Sequence, residues 1–378
     1  MKAEIKYHED LELNGVYVAG NNEQRFDIKI VNGRFASIEK SVLSPKRTGH
    51  DVWITPGVID LHTHLAWTDF HHEDQLKRSA EEVEALQVKA FEATLRGGVT
   101  TARDACGLSH ELVKRINQHY GQPLHVFVSG DPLRAPDAAQ GLEHLERRVK
   151  EIAHSGSSWV KIFATGGLGA PSDKVLDPLF TLEQISRIVD IAHANQLKVL
   201  VHTYGGLTLD WSIDAGVDSI EHGIYLTDQQ AFRLAQKNIP LIPTAAIYRI
   251  AADPHGAFAL DEVFRDRASR AAEAHAKSVS IAKKEGVRIG IGTDLASPAL
   301  HGRNLVELEV LMDYGLTREE VWRSATEIGA DILGLGDKLG RIKQGYTADT
   351  VIFHADPYEA PNTDALIKSI TAVVVGEL

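Results

Sequence analysis

The sequence predicts an α/β protein: a (β/α)8 TIM barrel with a small β-sandwich domain formed from both chain ends. Three observations carry that expectation. From Pro56 onward, short apolar runs alternate with amphipathic helical stretches, which is the pattern of βα units on a parallel sheet. Eight such units fit into roughly 260 residues, as a TIM barrel requires. Residues 1–55 and 339–378 read instead as short alternating strands, with Asn-Gly at 14–15 and 32–33 as hairpin turns.

Taken in order, barrel strands are expected near 58–65, 100–106, 124–130, 159–165, 198–204, 219–225, 240–246 and 288–294. Helices are expected near 80–97, 109–118, 140–154, 181–195, 206–215, 228–237, 266–285 and 303–315, then near 317–325 and 327–333. The tail returns to strand character in TADTVIFHAD and SITAVVVGEL. The two β-rich ends pair most simply with each other. The domains are therefore 1–55 with 339–378 for the sandwich and 56–338 for the barrel. A doubly wound sheet would use fewer repeats. No GxGxxG follows a strand, and GGLGAPSD at 166–173 is not a phosphate loop.

The 378 residues are 43% hydrophobic, too apolar for a disordered chain. A net charge of −12 argues against nucleic acid or an anionic membrane as the partner and leaves a small-molecule substrate. No run reaches the ~18 apolar residues of a membrane span. The start, MKAEIKYHEDLELNG, lacks the apolar stretch of a secretory signal. The single cysteine, Cys106, excludes an intrachain disulfide and any cysteine-based zinc module. Together these features describe a soluble cytoplasmic protein; homo-oligomer formation is left open.

In a TIM barrel the active site lies at the C-terminal ends of the strands, so the polar residues there are the informative ones. Strand 1 ends in His62-Thr63-His64, strand 4 carries Lys161, and strand 5 ends in His202 followed by Tyr204. Strand 6 carries Glu221-His222-Gly223, and strand 8 ends in Gly292-Thr293-Asp294. Residues two apart on a strand share a face, so His62 and His64 both point inward and can grip one ion. Imidazole nitrogen suits zinc, and Asp294 adds an oxygen ligand. A lysine on the inner face is costly unless paired or modified. With its pKa lowered by burial, the Lys161 amine can add carbon dioxide and become a carbamate, an anion able to bridge two cations. Four imidazoles, one aspartate and one carbamate then suffice for two divalent ions.

PGVIDLHTHL, GVTTARD, VKI, VHTY, SIEHG and GTD, in this order, resemble the amidohydrolase superfamily of metal-dependent hydrolases. HGRNLVELEVLMDYGLT through LGRIKQGYTADTVIF extends the resemblance to nearly the whole chain. Lys161 makes it similar to the binuclear subtype with a carboxylated lysine. The nearest branch is that of the Xaa-Pro dipeptidases, or prolidases, and their metallo-carboxypeptidase relatives. The resemblance implies that His62, His64 and Asp294 hold the more buried zinc ion and that His202 and His222 hold the second. It implies that carbamylated Lys161 bridges them. It implies amide hydrolysis of an N-acyl amino acid or dipeptide by a metal-activated hydroxide, with Asp294 shuttling the proton and Tyr204 touching the scissile carbonyl oxygen.

The chain also departs from that branch. The region after strand 3 reads SGDPLRAPDAAQG rather than Gly-Gly-His-Gly, and the strand 2 exit reads DACGLS rather than Asp-Leu-Gly-Gly. Lactones, carbamates, ureas and cyclic amides are the alternative substrates of the same centre. A mononuclear deaminase would favour a Glu after strand 5, which HTYGGLTLD lacks, and a metal-free homologue would lack ligands. Arg249, after strand 7, and Arg134, after strand 3, are candidates for gripping a substrate carboxylate. His301, opening the helix after strand 8, is a third candidate substrate contact. The loops 67–79, 131–142, 166–180 and 245–265 carry no motif that names the substrate.

Overall fold

A computed structural model describes residues 3–44, 46–69, 72–168, 174–256 and 260–378. The expected loops 67–79, 166–180 and 245–265 therefore lie partly outside the described residues. Strands Val58–Thr63, Val99–Asp104 and His125–Val128 form one parallel sheet. Strands Trp159–Phe163, Lys198–Gly205, Ser219–Tyr225 and Leu241–Ile242 form a second. Backbone bonds join the two, from Ser158 N to Val128 O (3.1 Å) and from Leu133 N to Lys161 O (2.8 Å). Helices alternate with the strands, and the whole is a TIM-barrel-like α/β fold.

Strands 7 and 8 are less regular than expected. Strand 7 stops at Ile242 because Pro243 has no N–H for the ladder, and the chain turns at Thr244 into helix Ala245–Ala252. The segment 288–294 forms no strand, only a bridge between Leu241 and Ile289. Its backbone still bonds on both sides. Leu241 N donates to Arg288 O (2.9 Å), and Leu61 N to Ile291 O (2.9 Å). Two glycines allow this close approach. A Cβ on Gly290 would stand 2.5 Å from Leu61, and one on Gly292 would stand 2.4 Å from Ile242 and 2.6 Å from His62 Cβ.

The helices start where their caps predict. Ser79 with Glu82, Thr181 with Gln184, Thr227 with Gln230, and Thr317 with Glu320 each form a reciprocal capping box. The helix expected near 266–285 begins earlier, at Glu262, where Asp261 accepts from Phe264 N. Short helices also occupy two expected loops, as Ala135–Ala139 and Ala245–Ala252.

The chain ends do meet. One seven-stranded sheet runs in the order Glu4–Tyr7, Ile370–Val375, Thr350–Phe353, Trp53–Pro56, Leu11–Val18, Asn21–Val31, Arg34–Lys40. The expected sandwich is thus a single continuous sheet with two buried faces. Alternation decides which side each residue takes. Tyr17, Trp53, Val351, Phe353, Val373 and Val375 join the core shared with the barrel. Val16, Ile28, Ile54, Ile352, Ala372 and Val374 form a core of their own.

One buried ion pair pins this sheet to the loop before Trp53. Arg25 pairs with Asp51 and also donates to Gly15 O and Ser44 O, both at 2.8 Å. Burial pushes the Asp51 carboxyl up, but Arg25 and the Thr48 N–H and hydroxyl outweigh it and hold the group at about 2. An unfolded aspartate titrates near ~3.9. The stabilisation is therefore complete above that value and is lost as pH falls towards 2. Denaturant unfolding between pH 5 and pH 2 should show wild type losing on the order of 2 kcal/mol that Asp51→Asn does not lose. Parallel curves for the two proteins would contradict the assignment.

Candidate metal centre

The strand ends bring the expected donors to one place. His62, His64, Lys161, His202, Tyr204, His222 and Asp294 line a single cavity of about 260 Å³. Ligand atoms of His62, His222 and Asp294 all lie within 4.8 Å of one another, the spacing of a metal site. His64 Nε2 is 2.9 Å from Asp294 Oδ1. The His202 and His222 rings are 4.4 Å apart, and His62 and His222 are 5.2 Å apart. Unusual backbone sets these directions. His222 (φ 71°), Asp294 (φ 55°) and Thr244 (φ 56°) all occupy the left-handed region, which non-glycine residues seldom adopt.

The electrostatics favour the ligand form at His62, His202, His222 and Asp294 but not at His64, where burial lowers the imidazole and Cys106 with the Asp294 hydrogen bond outweigh it and raise it to about 10. Burial, reinforced by the charge of Lys161, drives His62 well below its ordinary value and His202 down to about 4. Burial, and then the charge on His202, does the same to His222. Neutral imidazole is the form that binds a metal. Burial alone would raise Asp294, but the His64 hydrogen bond and the neighbouring positive charges hold it below the usual carboxylate range. Lys161 is fully buried, and its Nζ has no hydrogen-bond partner among the described residues. Burial lowers its pKa.

Each imidazole is held from behind. His62 Nδ1 contacts Glu221 Oε2 at 2.5 Å, and Arg103 grips the same carboxylate at 2.8 and 2.9 Å. Arg103 also donates to Leu61 O (2.5 Å) and Ser219 Oγ (3.0 Å) and lies over the Trp159 ring at 4.4 Å. It thereby ties strands 1, 2, 4 and 6 together. His64 stacks on Trp67 with ring centroids 3.9 Å apart. His202 Nε2 lies 3.1 Å from Gly166 O, and His222 Nδ1 lies 2.7 Å from Thr244 Oγ1. Asp60 accepts from His62 N, Thr293 N, Thr293 Oγ1 and Asn304 Nδ2, which locks strand 1 to the chain entering Asp294.

Tyr204 is buried at the cavity wall, where its hydroxyl accepts from Leu168 N (3.1 Å) and from the Tyr248 hydroxyl (3.0 Å). Cys106 is buried, with Sγ 3.7 Å from His64 Nδ1. The other candidates are placed farther out. The Arg134 guanidinium sits 5.7 Å above the ring of Phe163, a cavity residue, at the rim. Arg249 pairs with Asp313 on helix Val306–Asp313 and does not line the cavity. His301 is buried and does not line the cavity, and neither of its ring nitrogens has a hydrogen-bond partner among the described residues.

Sequence reasoning missed Arg103, Glu221, Thr244, Tyr248 and Glu307 as site residues. Arg103 and Glu221 stood inside quoted motifs, GVTTARD and SIEHG, and a charge in the middle of a buried strand was the available signal. The pair generates a test. Glu221→Gln leaves Arg103 buried without its counter-charge and removes the brace on His62. Its unfolding free energy should fall by about 3–5 kcal/mol, and its affinity for zinc should fall about 10–100-fold. Unchanged zinc affinity in folded Glu221→Gln would show that His62 does not need the brace.

Comparisons with known proteins agree with this geometry. The amidohydrolase family profile matches residues 53–376. Ochratoxinase of Aspergillus niger is 25% identical over 384 residues, covering 91% of this chain and 79% of the relative. A solved amidohydrolase structure superposes with a TM-score of 0.85 at 26% identity, covering 98% of this chain and 100% of the other. A prolidase complexed with N-methylphosphonate-L-proline superposes at 0.86, covering 98% and 100%; at 21% identity that is a likeness of fold. Among the described residues no helix is long and apolar enough to cross a membrane. The chain belongs to the amidohydrolase family and is a hydrolase of carbon–nitrogen bonds.

Proposed function

We propose that the chain is a binuclear amide hydrolase that releases an amino acid from an N-acyl amino acid or dipeptide, with Lys161 carried as a carbamate. One observation carries the reading: four imidazoles, one carboxylate and one buried amine with no hydrogen-bond partner among the described residues face a single cavity. His62, His64 and Asp294 would hold one divalent ion, His202 and His222 the other, and Lys161 would bridge them. The fit is chemical. The neutral lysine nitrogen bonds the carbon of carbon dioxide and loses one proton, so an anion with two oxygens replaces a buried amine whose pKa burial lowers. Zinc suits this donor set and, when bound, supplies Lewis acidity and a water acidified towards neutral pH.

The remaining chemistry belongs to the chain. Asp294 is ionised, and at 20% exposure its side chain is the most accessible of the paired donors. It is placed to accept a proton from water and return it to the leaving nitrogen. Tyr204 accepts two hydrogen bonds, so its own proton is left to donate to the substrate carbonyl oxygen as charge develops there. Trp67, Phe163, Leu168, Ile247 and Phe264 supply an apolar wall that excludes water and suits an acyl or side-chain group. Arg134, at the rim, is placed to meet a carboxylate.

In the same reading, the eight segments close one ring within residues 56–338, and residues 1–55 with 339–378 form a separate β unit. The lone cysteine suits a reducing cytoplasm.

The test is a screen of protein produced with zinc and bicarbonate. The panel holds N-acyl-L-amino acids and dipeptides, beside lactones, carbamates, ureas, cyclic amides and ring amines. Wild type should release free amino acid, and Asp294→Asn should be slower by about 10²-fold or more. Turnover confined to lactones or carbamates would move the bond class. A zinc-loaded wild type inert to the whole panel would contradict the reading.

A further inference from the structure

A second cavity, of about 350 Å³, lies directly beside the donor cavity. Leu168 and Tyr204 line both, so the two share a wall. Hydrolysis as described makes no use of this second space. We propose that it is the acyl subsite, that it selects an acyl group ending in a carboxylate, and that Arg270 receives that carboxylate. The proposal rests on the reading of the chain as a hydrolase of N-acyl amino acids and names the acyl half of the substrate.

Size is the first argument. The donor cavity holds about 260 Å³, below the ~300–1,000 Å³ of small-molecule sites, so a substrate whose carbonyl meets Tyr204 extends out of it. Arg134 reaches the rim from the region after strand 3, over Phe163. The second cavity is built instead from Tyr204 on strand 5, Tyr225 on strand 6 and the helix Glu262–Lys284. The amino acid carboxylate and the acyl chain therefore have separate places. Gly205 makes room for the second. It pairs with Tyr225 beyond an irregularity in the ladder, at φ 149°, and a Cβ there would stand 3.1 Å from Tyr225 Cβ and from Tyr225 O.

The lining is the second argument. Helix Glu262–Lys284 serves both cavities: Phe264 lines the first, and Val263, Asp266, Arg267, Arg270 and Ala271 line the second. Spacings of three and four put those five on one helix face. Val263 and Ala271, with Leu168 and Val175, make the cavity apolar, while two guanidiniums against one carboxylate leave it a surplus positive charge. A methylene chain with an anionic end complements such a lining. Arg267 Nη1 stands 3.5 Å from Leu168 O, at the shared wall. Arg270 makes no hydrogen bond or ion pair among the described residues, although Asp266 and Glu273 lie four before and three after it on the helix. Other exposed arginines, Arg78, Arg115, Arg249 and Arg303, each pair with a carboxylate. In a chain of net charge −12, Arg270 is a cation held for a partner from outside.

The test uses a matched pair, N-glutaryl-L-leucine and N-pentanoyl-L-leucine, which differ only in ending the acyl chain with a carboxylate or a methyl group. With the zinc-loaded full chain, kcat/KM should be about tenfold higher for the glutaryl compound. Arg270→Ala, an exposed helix position that alanine suits, should bring that ratio to within about twofold of one, through a raised KM for the glutaryl compound rather than a lowered kcat. Arg134→Ala should weaken both compounds alike and leave the ratio standing. Equal turnover of the pair by wild type, or a ratio that survives Arg270→Ala, overturns the subsite while leaving the amide hydrolase reading in place. If neither compound is cleaved, calorimetry with the same pair decides. Tighter binding of the glutaryl compound, lost in Arg270→Ala, sustains the anionic subsite and sinks the hydrolysis of N-acyl amino acids. Equal binding of the two, or binding of neither, overturns both.

Discussion

Arg103 and Glu221 carry opposite charges with no exposure to solvent, and the donor cluster depends on their staying paired. Desolvating each costs several kcal/mol, so the pair is kept only because its bonds are nearly all made. Arg103 reaches Leu61 O, Ser219 Oγ and both oxygens of Glu221, and the Trp159 ring covers its face. What the cost yields is position. Glu221 presents its remaining acceptor to His62 Nδ1, which turns Nε2 towards the cavity. The same side chains tie strands 1, 2, 4 and 6, so the imidazoles of strands 1 and 6 cannot drift apart independently.

A second constraint acts where the barrel is least regular. The segment before Asp294 runs so close to strand 1 that Gly290 and Gly292 have no room for a Cβ. Asp60 fills the polar side of that contact with four accepted hydrogen bonds. Asp294 then leaves the segment in a left-handed conformation, with its N–H bonded to His62 O at 2.8 Å. One of the first donor's own backbone groups therefore aims the last donor. Such local strain at a cluster of titratable groups is what a functional site requires and a packing core does not.

Much of this was legible in the sequence, for identifiable reasons. Strand ends could be read because apolar runs are short and bounded, and His62, His64, Lys161, His202, His222 and Asp294 sit where those runs stop. Helix starts could be read because Ser79, Thr181, Thr227 and Thr317 each precede a Glu or Gln by three residues. Strand 8 was read as regular because VRIGIGTD has the right composition; only the packing against Leu61, Ile242 and His62 shows why its glycines break the ladder. Helix Ala245–Ala252 was hidden because the region reads as a strand near 240–246 running into the loop 245–265. Tyr248 and Glu307 were invisible because their meaning depends on which groups they meet across the fold, some 40 to 60 residues away. Arg249 illustrates the converse: it follows the right strand but turns outward to Asp313.

The central claim is that Lys161 completes a two-ion centre that the histidines and Asp294 cannot build alone. Elemental analysis of protein purified with added zinc and bicarbonate, for wild type and Lys161→Ala, tests it most directly. The account predicts two zinc ions per wild-type chain and one or none in the variant. One ion in both would contradict it and return Lys161 to a structural role.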